Sequence, residues 1–215
     1  MATKNFSTVE EMSMVQMEVD KSRFIAVLSC VKDAQDIRAL MSSLKTSNKD
    51  AKHIAYAYRL GEDYSVAKYN DDGEPGGSAG IPIYEAIKKA NLTNVLLAVV
   101  RYFGGKELGK SRLTRTYGAV ANAVVKNSKI FEMKFCNIYE MKVTYADYAS
   151  LGKILTEKGY HVLEQSNKDT MPFIKVAIPQ DIADQEVEAI RARARGANFI
   201  NKVGTGYYRF KSYAR

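Results

Sequence analysis

The run Arg101-Tyr102-Phe103-Gly104-Gly105-Lys106-Glu107-Leu108-Gly109-Lys110-Ser111-Arg112-Leu113-Thr114-Arg115 carries five cations against one carboxylate. Its glycines end an apolar stretch, Asn94 to Phe103, and a helical pattern built on Leu113, Tyr117, Val120 and Val124 follows. Lys110, Arg112 and Arg115 therefore crowd a helix start, where the dipole disfavours each cation by about 0.3–1 kcal/mol. An anion seated there would turn each unfavourable placement into a charge-assisted hydrogen bond. Gly104 and Gly105 leave the backbone open beside it, Arg101 adds a further cation, and Tyr102 and Phe103 offer rings for base stacking. The alternative is solvated cations around a Phe103 packed in the core. The Gly-Lys-Ser/Thr spacing of a phosphate-binding P-loop is missing.

A second candidate is the loop Asp71-Asp72-Gly73-Glu74-Pro75-Gly76-Gly77, followed by Ser78. Asp71, Asp72 and Glu74 could hold Mg²⁺ or act as a general base, and a plain turn explains the same residues. Gly76 and Gly77 bring bare backbone to the start of a helix opening at Ser78, whose free N–H groups favour an anion. Lys21, Ser22 and Arg23 enter a strand and could extend the basic patch, or be ordinary solvated charge. His53, at another strand start, is a further candidate for the nucleic-acid- or anion-binding set, although a lone histidine is commonly packed or exposed. Arg191, Arg193 and Arg195 close a late helix and complement its dipole. Cys30 and Cys136 are read as buried thiols. With His53 and His161 they show no zinc-ligand spacing, so neither a metal site nor a cofactor is expected.

These residues need elements to hold them. Val15–Val19, Phe24–Val31, His53–Leu60, Tyr64–Tyr69 and Asn94–Phe103 read as strands. Between them lie a helix capped by Asp33, with Ile37, Leu40, Met41 and Leu44 inward, and the helix from Ser78 to Ala90. The pattern restarts at Ile138. A strand through Tyr145, a helix capped by Asp147 and stopped by Gly159, and strands at Tyr160–Gln165 and Phe173–Ile178 come first. A helix from Asp181 to Arg195, ended by Gly196, and a strand within Asn198–Phe210 complete the order βαββαβ, a ferredoxin-like unit. The class is α+β with two domains, 1–134 and 135–215, divided between Ile130 and Asn137.

The whole chain of 215 residues has 32 basic and 24 acidic side chains, a net charge of +8, and is 46% apolar. Both halves are basic, which permits an anionic partner without naming one. The longest apolar run, Val95 to Val100, is far short of the ~20 residues a bilayer span needs. With no signal-peptide pattern at its start, the chain is expected to be cytoplasmic, without membrane contact.

The ordered series Lys21-Ser22-Arg23-Phe24, His53 with Ala55-Tyr56-Ala57-Tyr58-Arg59, Asp71-Asp72-Gly73-Glu74-Pro75-Gly76-Gly77-Ser78-Ala79-Gly80, and Arg101-Tyr102-Phe103-Gly104-Gly105 with Leu108-Gly109, Leu113, Arg115 and Tyr117-Gly118 resembles the YigZ/IMPACT family. The resemblance implies an N-terminal domain of the ribosomal-protein type, like domain IV of elongation factor G, with a βαβ core. It also implies a ferredoxin-like C-terminal domain like domain V of that factor. Its functional implication is regulation of translation, through RNA, the ribosome or a translation-regulatory protein. Where the family's pattern is close to Ile-Lys-Leu-Gly-Ala-Gly-Gly-Leu, this chain has Lys106 to Leu113, with two glycines lost and two cations gained. Side-chain contacts replace close backbone approach there. Two other readings stand beside RNA binding: a metal-dependent phosphoryl-transfer or hydrolytic enzyme using Asp72 and Glu74, and a protein-interaction module.

Overall fold

Where alternate side chains of a strand face two different layers, both faces are apolar and the alternation disappears from the sequence. That is the situation of the central strand in the computed structural model, which describes residues 5–167, 171–193 and 199–210. The chain divides into two compact units, Phe6–Phe131 and, with the N-terminal residues 1–5, Glu132–Arg215.

The first unit holds β1 (Phe6–Val9), β2 (Ser13–Val19), β3 (Ser22–Cys30), α1 (Ala34–Ser47), β4 (His53–Leu60), β5 (Val66–Asn70), α2 (Gly80–Lys89), β6 (Val95–Tyr102) and α3 (Lys110–Asn127). Its sheet runs β2-β3-β6-β4-β5, with every neighbouring pair antiparallel. Val95 to Val100 of β6 are each at most 1% exposed. On one face Val95, Leu97 and Val99 pack with Phe24, Ala26, Ala55 and Ala57 beneath Ile83 and Ile87 of α2 and Leu113, Tyr117 and Val120 of α3. On the other, Leu96, Ala98 and Val100 lie under Ile37, Leu40, Met41 and Leu44 of α1. Each fully buried Leu or Val contributes about 1.5–3 kcal/mol, so burial on both faces makes β6 the best-anchored strand.

Two crossovers interlock around β6. β3–α1–β4 joins parallel strands on either side of β6, and β5–α2–β6 joins parallel strands on either side of β4. The two strand pairs point in opposite directions and progress in opposite senses across the sheet. With α1 and α2 on opposite faces, the crossovers must be of opposite hand, so one of them departs from the usual right-handed rule.

The second unit continues with β7 (Ile130–Lys142), α4 (Tyr145–Glu157), β8 (His161–Ser166), β9 (Phe173–Pro179), α5 (Ala183–Arg193) and β10 (Phe199–Phe210). The antiparallel order β10-β7-β9-β8 is the ferredoxin-like arrangement expected from βαββαβ. Leu151, Leu155, Val187 and Ile190 seal the helices onto Met141, Ile174, Val176 and Ile178.

Several local expectations are corrected. Asp33 does cap α1, accepting from the N–H groups of Gln35 at 2.7 Å and Asp36 at 3.0 Å. Ser78 caps nothing: α2 starts at Gly80 behind Ala79. Tyr145 opens α4 rather than ending a strand, because Thr144 caps that helix and Asp147 stands inside its first turn. Tyr64, at φ 61°, belongs to the turn and delays β5 to Val66. The four residues of β1 are too few to show a pattern in the sequence. α5 starts at Ala183, two residues after Asp181, while Arg195, Gly196 and Asn198 lie outside the described residues. Cys136 is buried, which pushes its thiol up to about 12, but Cys30 is exposed. Among the described residues no helix is long and apolar enough to cross a membrane.

Leu97→Ala should lower unfolding stability by about 2–5 kcal/mol, because β6 is pinned on both sides and cannot collapse onto the cavity. Met14→Ala, at a residue 62% exposed, should shift it by less than about 0.5 kcal/mol. Urea titration checks both; equal losses would contradict this burial pattern.

Candidate functional site

Register brings the sequence motifs to one end of the first sheet. Arg23 pairs with Tyr102 and His53 with Arg101, so the start of β3, the start of β4 and the end of β6 are adjacent. β2 and β3 meet in a two-residue turn, Asp20 at φ 47° and Lys21 at φ 63°, a left-handed pair unusual without glycine. Three contacts hold it. Gly104 lies so close that a Cβ there would fall 2.2 Å from the Lys21 carbonyl carbon. The Gly104 N–H donates to Ser22 Oγ at 3.1 Å, and Arg112 of α3 donates to the Asp20 carboxylate at 3.1 Å.

Behind the turn lies a buried ionic triad. Arg101 Nη1 donates to both Glu74 oxygens, at 2.7 and 2.9 Å, and the Tyr117 hydroxyl donates to Glu74 Oε1 at 2.8 Å. The Arg101 and Glu74 side chains are only 5% and 2% exposed. Burial, and then the Glu74 charge, pushes the Tyr117 phenol far above its ordinary range, so it stays a donor. The Phe24 ring meets Tyr117 edge-on, with centroids 5.3 Å apart. Arg101 Nε is buried and has no acceptor among the described residues.

The loop before α2 is built on carboxylates. Asp71 accepts from the N–H groups of Gly77 at 2.8 Å, Ala79 at 3.0 Å and Gly80 at 2.8 Å. Burial works against its charge, but these three donors and the Lys110 charge prevail and hold the carboxyl below its usual range. Asp72 accepts from Ile54 N–H at 2.6 Å, and its carbonyl lies 2.6 Å from His53 Nδ1. Gly80 is needed because a Cβ would sit 3.0 Å from the Asn70 backbone.

This changes the roles of several candidates. The anion at the start of α2 is Asp71 itself, so Gly77 and Ser78 offer no free site there; Gly76 is exposed, and the Ser78 hydroxyl is buried without a partner among the described residues. Asp71, Asp72 and Glu74 are each engaged by protein groups, and no set of three potential metal ligands comes together among the described residues. Ser22 and Arg101 are buried, which removes them from the basic surface. Arg112 finds its anion in Asp20, and Lys110 has Asp71 nearby, so the cations crowding α3 are answered partly from within. Tyr102 turns to the α1 side, its hydroxyl donating to Asn48 Oδ1 at 2.7 Å and its ring covered by Arg23 at 4.2 Å. Lys21, Gly105, Lys110 and Arg115 are exposed.

A cleft of about 260 Å³ opens at this end of the sheet, lined by Lys52, His53, Arg101, Phe103, Glu107 and Lys110 among others. Phe103 is 40% exposed, with the Lys52 ammonium 4.5 Å from its ring centroid. Sequence reasoning missed Lys52, Glu107 and Tyr117, and of the two rings it offered for stacking, Phe103 lines the cleft and Tyr102 does not. Strand parity carried the signal: Arg101 faces α3, so Tyr102 must face α1. Parity becomes usable only once the inner face of β6 is known.

The Impact N-terminal domain family matches residues 20–125. The IMPACT family member YvyE of Bacillus subtilis (strain 168) is 38% identical over 153 residues, 71% of this chain and 69% of that protein. A solved structure of a hypothetical protein matches 94% of this chain and 99% of its own, with TM-score 0.61 at 22% identity, a likeness of fold. The two-domain translational regulator Yih1 covers 57% of this chain and 47% of its own at 26% identity, with TM-score 0.33, too low to bear on the architecture.

Glu74→Gln should cost about 3–5 kcal/mol by leaving the Arg101 charge buried and unpaired. Replacing the triad together (Glu74→Leu, Arg101→Met, Tyr117→Phe) should recover most of that in urea titrations; a triple variant no better than the single one would refute this. Asp71→Ala should lose about 2 kcal/mol at neutral pH, as a helix cap does. The folded Asp71 carboxyl lies below the 3.8 of the free group. Its stabilisation is therefore complete above that value and is lost as pH falls through the folded one. Parent and variant should converge in acid, as thermal melts at stepped pH would record.

Proposed function

The chain belongs to the IMPACT family, and on that footing we propose that it is a translation-associated regulator that binds RNA, free or in the ribosome, through the basic end of its first unit. The observation that carries the reading is convergence: Lys21, Lys52, Lys110 and Arg115 come from three separate chain segments, all are exposed, and all belong to the same end of one sheet or the helix that starts there. Arg112 adds a partly neutralised charge. Phosphates tracking such a surface would displace counterions, which is the main sequence-independent source of nucleic-acid affinity. The translational half of the reading follows the family; Yih1 is itself described as a translational regulator.

Binding to mixed RNA, tRNA and ribosomes should weaken with salt, with a log–log slope near −0.7 per phosphate neutralised on single strands. Lys110→Ala with Arg115→Ala should weaken all sequences alike and make the slope shallower by about one unit for each phosphate no longer neutralised. Fluorescence anisotropy at several salt concentrations measures both. No binding at low salt, or binding indifferent to the pair, rejects the reading in favour of a protein partner.

A further inference from the structure

The surroundings of His53 dictate which of its ring nitrogens carries the proton. A backbone carbonyl can only accept, so the 2.6 Å contact between Nδ1 and the Asp72 oxygen requires the proton on Nδ1. In the neutral ring Nε2 is then an acceptor. The Nδ1 edge is closed off by Asp72 and by Gly73, whose added Cβ would lie 3.4 Å from Nδ1 and Cε1. Among the described residues nothing bonds Nε2. An acceptor nitrogen is thus fixed in a cleft that holds the cations Lys52 and Lys110 and the carboxylate of Glu107, with the uncapped start of α3 beside Lys110.

We propose that this cleft takes a single ribonucleotide unit, its 2′-hydroxyl donating to His53 Nε2, its phosphate meeting Lys110 and the start of α3, and its base lying on Phe103. The inference rests on the RNA reading above and deepens it. Three chemistries occur together on one such unit: an anion, an aromatic plane and a hydroxyl donor. The cleft offers the complement of each. Its volume of about 260 Å³ is just under the roughly 300–1,000 Å³ of small-molecule pockets, so it suits part of one such unit, with the base out on the exposed Phe103 ring, and not a duplex. A base on the Phe103 ring would replace the Lys52 ammonium, since stacking outweighs an exposed cation–π contact, and would free that charge for the phosphate. The 2′-hydroxyl is what separates RNA from DNA at a single site, so His53 would make the basic surface selective for RNA.

The test uses the full chain with adenosine 5′-monophosphate and its 2′-deoxy counterpart. Affinities come from calorimetry, and the ring nitrogens of His53 are followed by ¹⁵N NMR. The ribonucleotide should bind about fivefold to tenfold tighter, the worth of one hydrogen bond, and should shift Nε2 more than Nδ1. His53→Phe should abolish the preference, while Lys110→Ala should weaken both nucleotides. The NMR shifts of the parent decide the matter even where His53→Phe does not fold. Equal affinities, or an unmoved His53 at millimolar nucleotide, overturn the proposal. Salt-dependent RNA binding with an unmoved His53 sinks this inference and leaves the basic surface standing. Ribose-selective nucleotide binding without RNA binding does the reverse.

Discussion

A carboxylate removed from water must be held by charge and hydrogen bonds together, or its desolvation outweighs what it returns. Glu74 is held by Arg101 of β6 and Tyr117 of α3, and Phe24 of β3 packs edge-on against Tyr117. Satisfying one acid therefore sets the end of the central strand, the approach of a helix and the path of the loop that carries Glu74. The cleft lies outside this triad and takes its inner wall from it. Replacing the triad with apolar side chains could preserve the fold, but the wall would lose its polarity.

The glycine-rich and acidic segments divide the remaining work. Asp71 reaches forward to three amides and ends the loop as a helix cap, while Asp72 reaches back to β4 and orients His53. Gly104 admits the left-handed turn at Asp20 and Lys21, and Asp20 then meets Arg112. Each device fixes position by backbone contact. Few cations are consumed in the process, and Lys21, Lys52, Lys110 and Arg115 are left facing solvent.

Much of this architecture was legible in the residues, and the illegible parts share a cause. Alternation and caps are local, so the strands, Asp33 and the βαββαβ order could be read directly. Asp71 caps amides six to nine positions ahead, beyond the one- to three-residue reach that marks a helix start in sequence. Arg101 stands among five cations and looks like one more surface charge; only its partner, 27 residues away, makes it a core residue. The same distance hid the answer to the crowded cations at α3, since Asp20 lies 92 residues from Arg112. Composition registers charge but not pairing. Tyr102 and Phe103, adjacent in sequence and both aromatic, part in the fold because neighbouring residues at a strand end leave on opposite sides.

The sheet order has a kinetic meaning. β6 is the last of its five strands to leave the ribosome, yet it lies between β3 and β4, which never pair with each other. During synthesis the inner edges of β3 and β4 lack their native partner until β6 arrives. The long loops closed at that moment place the slow step of folding in the insertion of one strand. Until then the nascent chain exposes two adhesive apolar edges, the condition under which a newly made domain depends most on a chaperone.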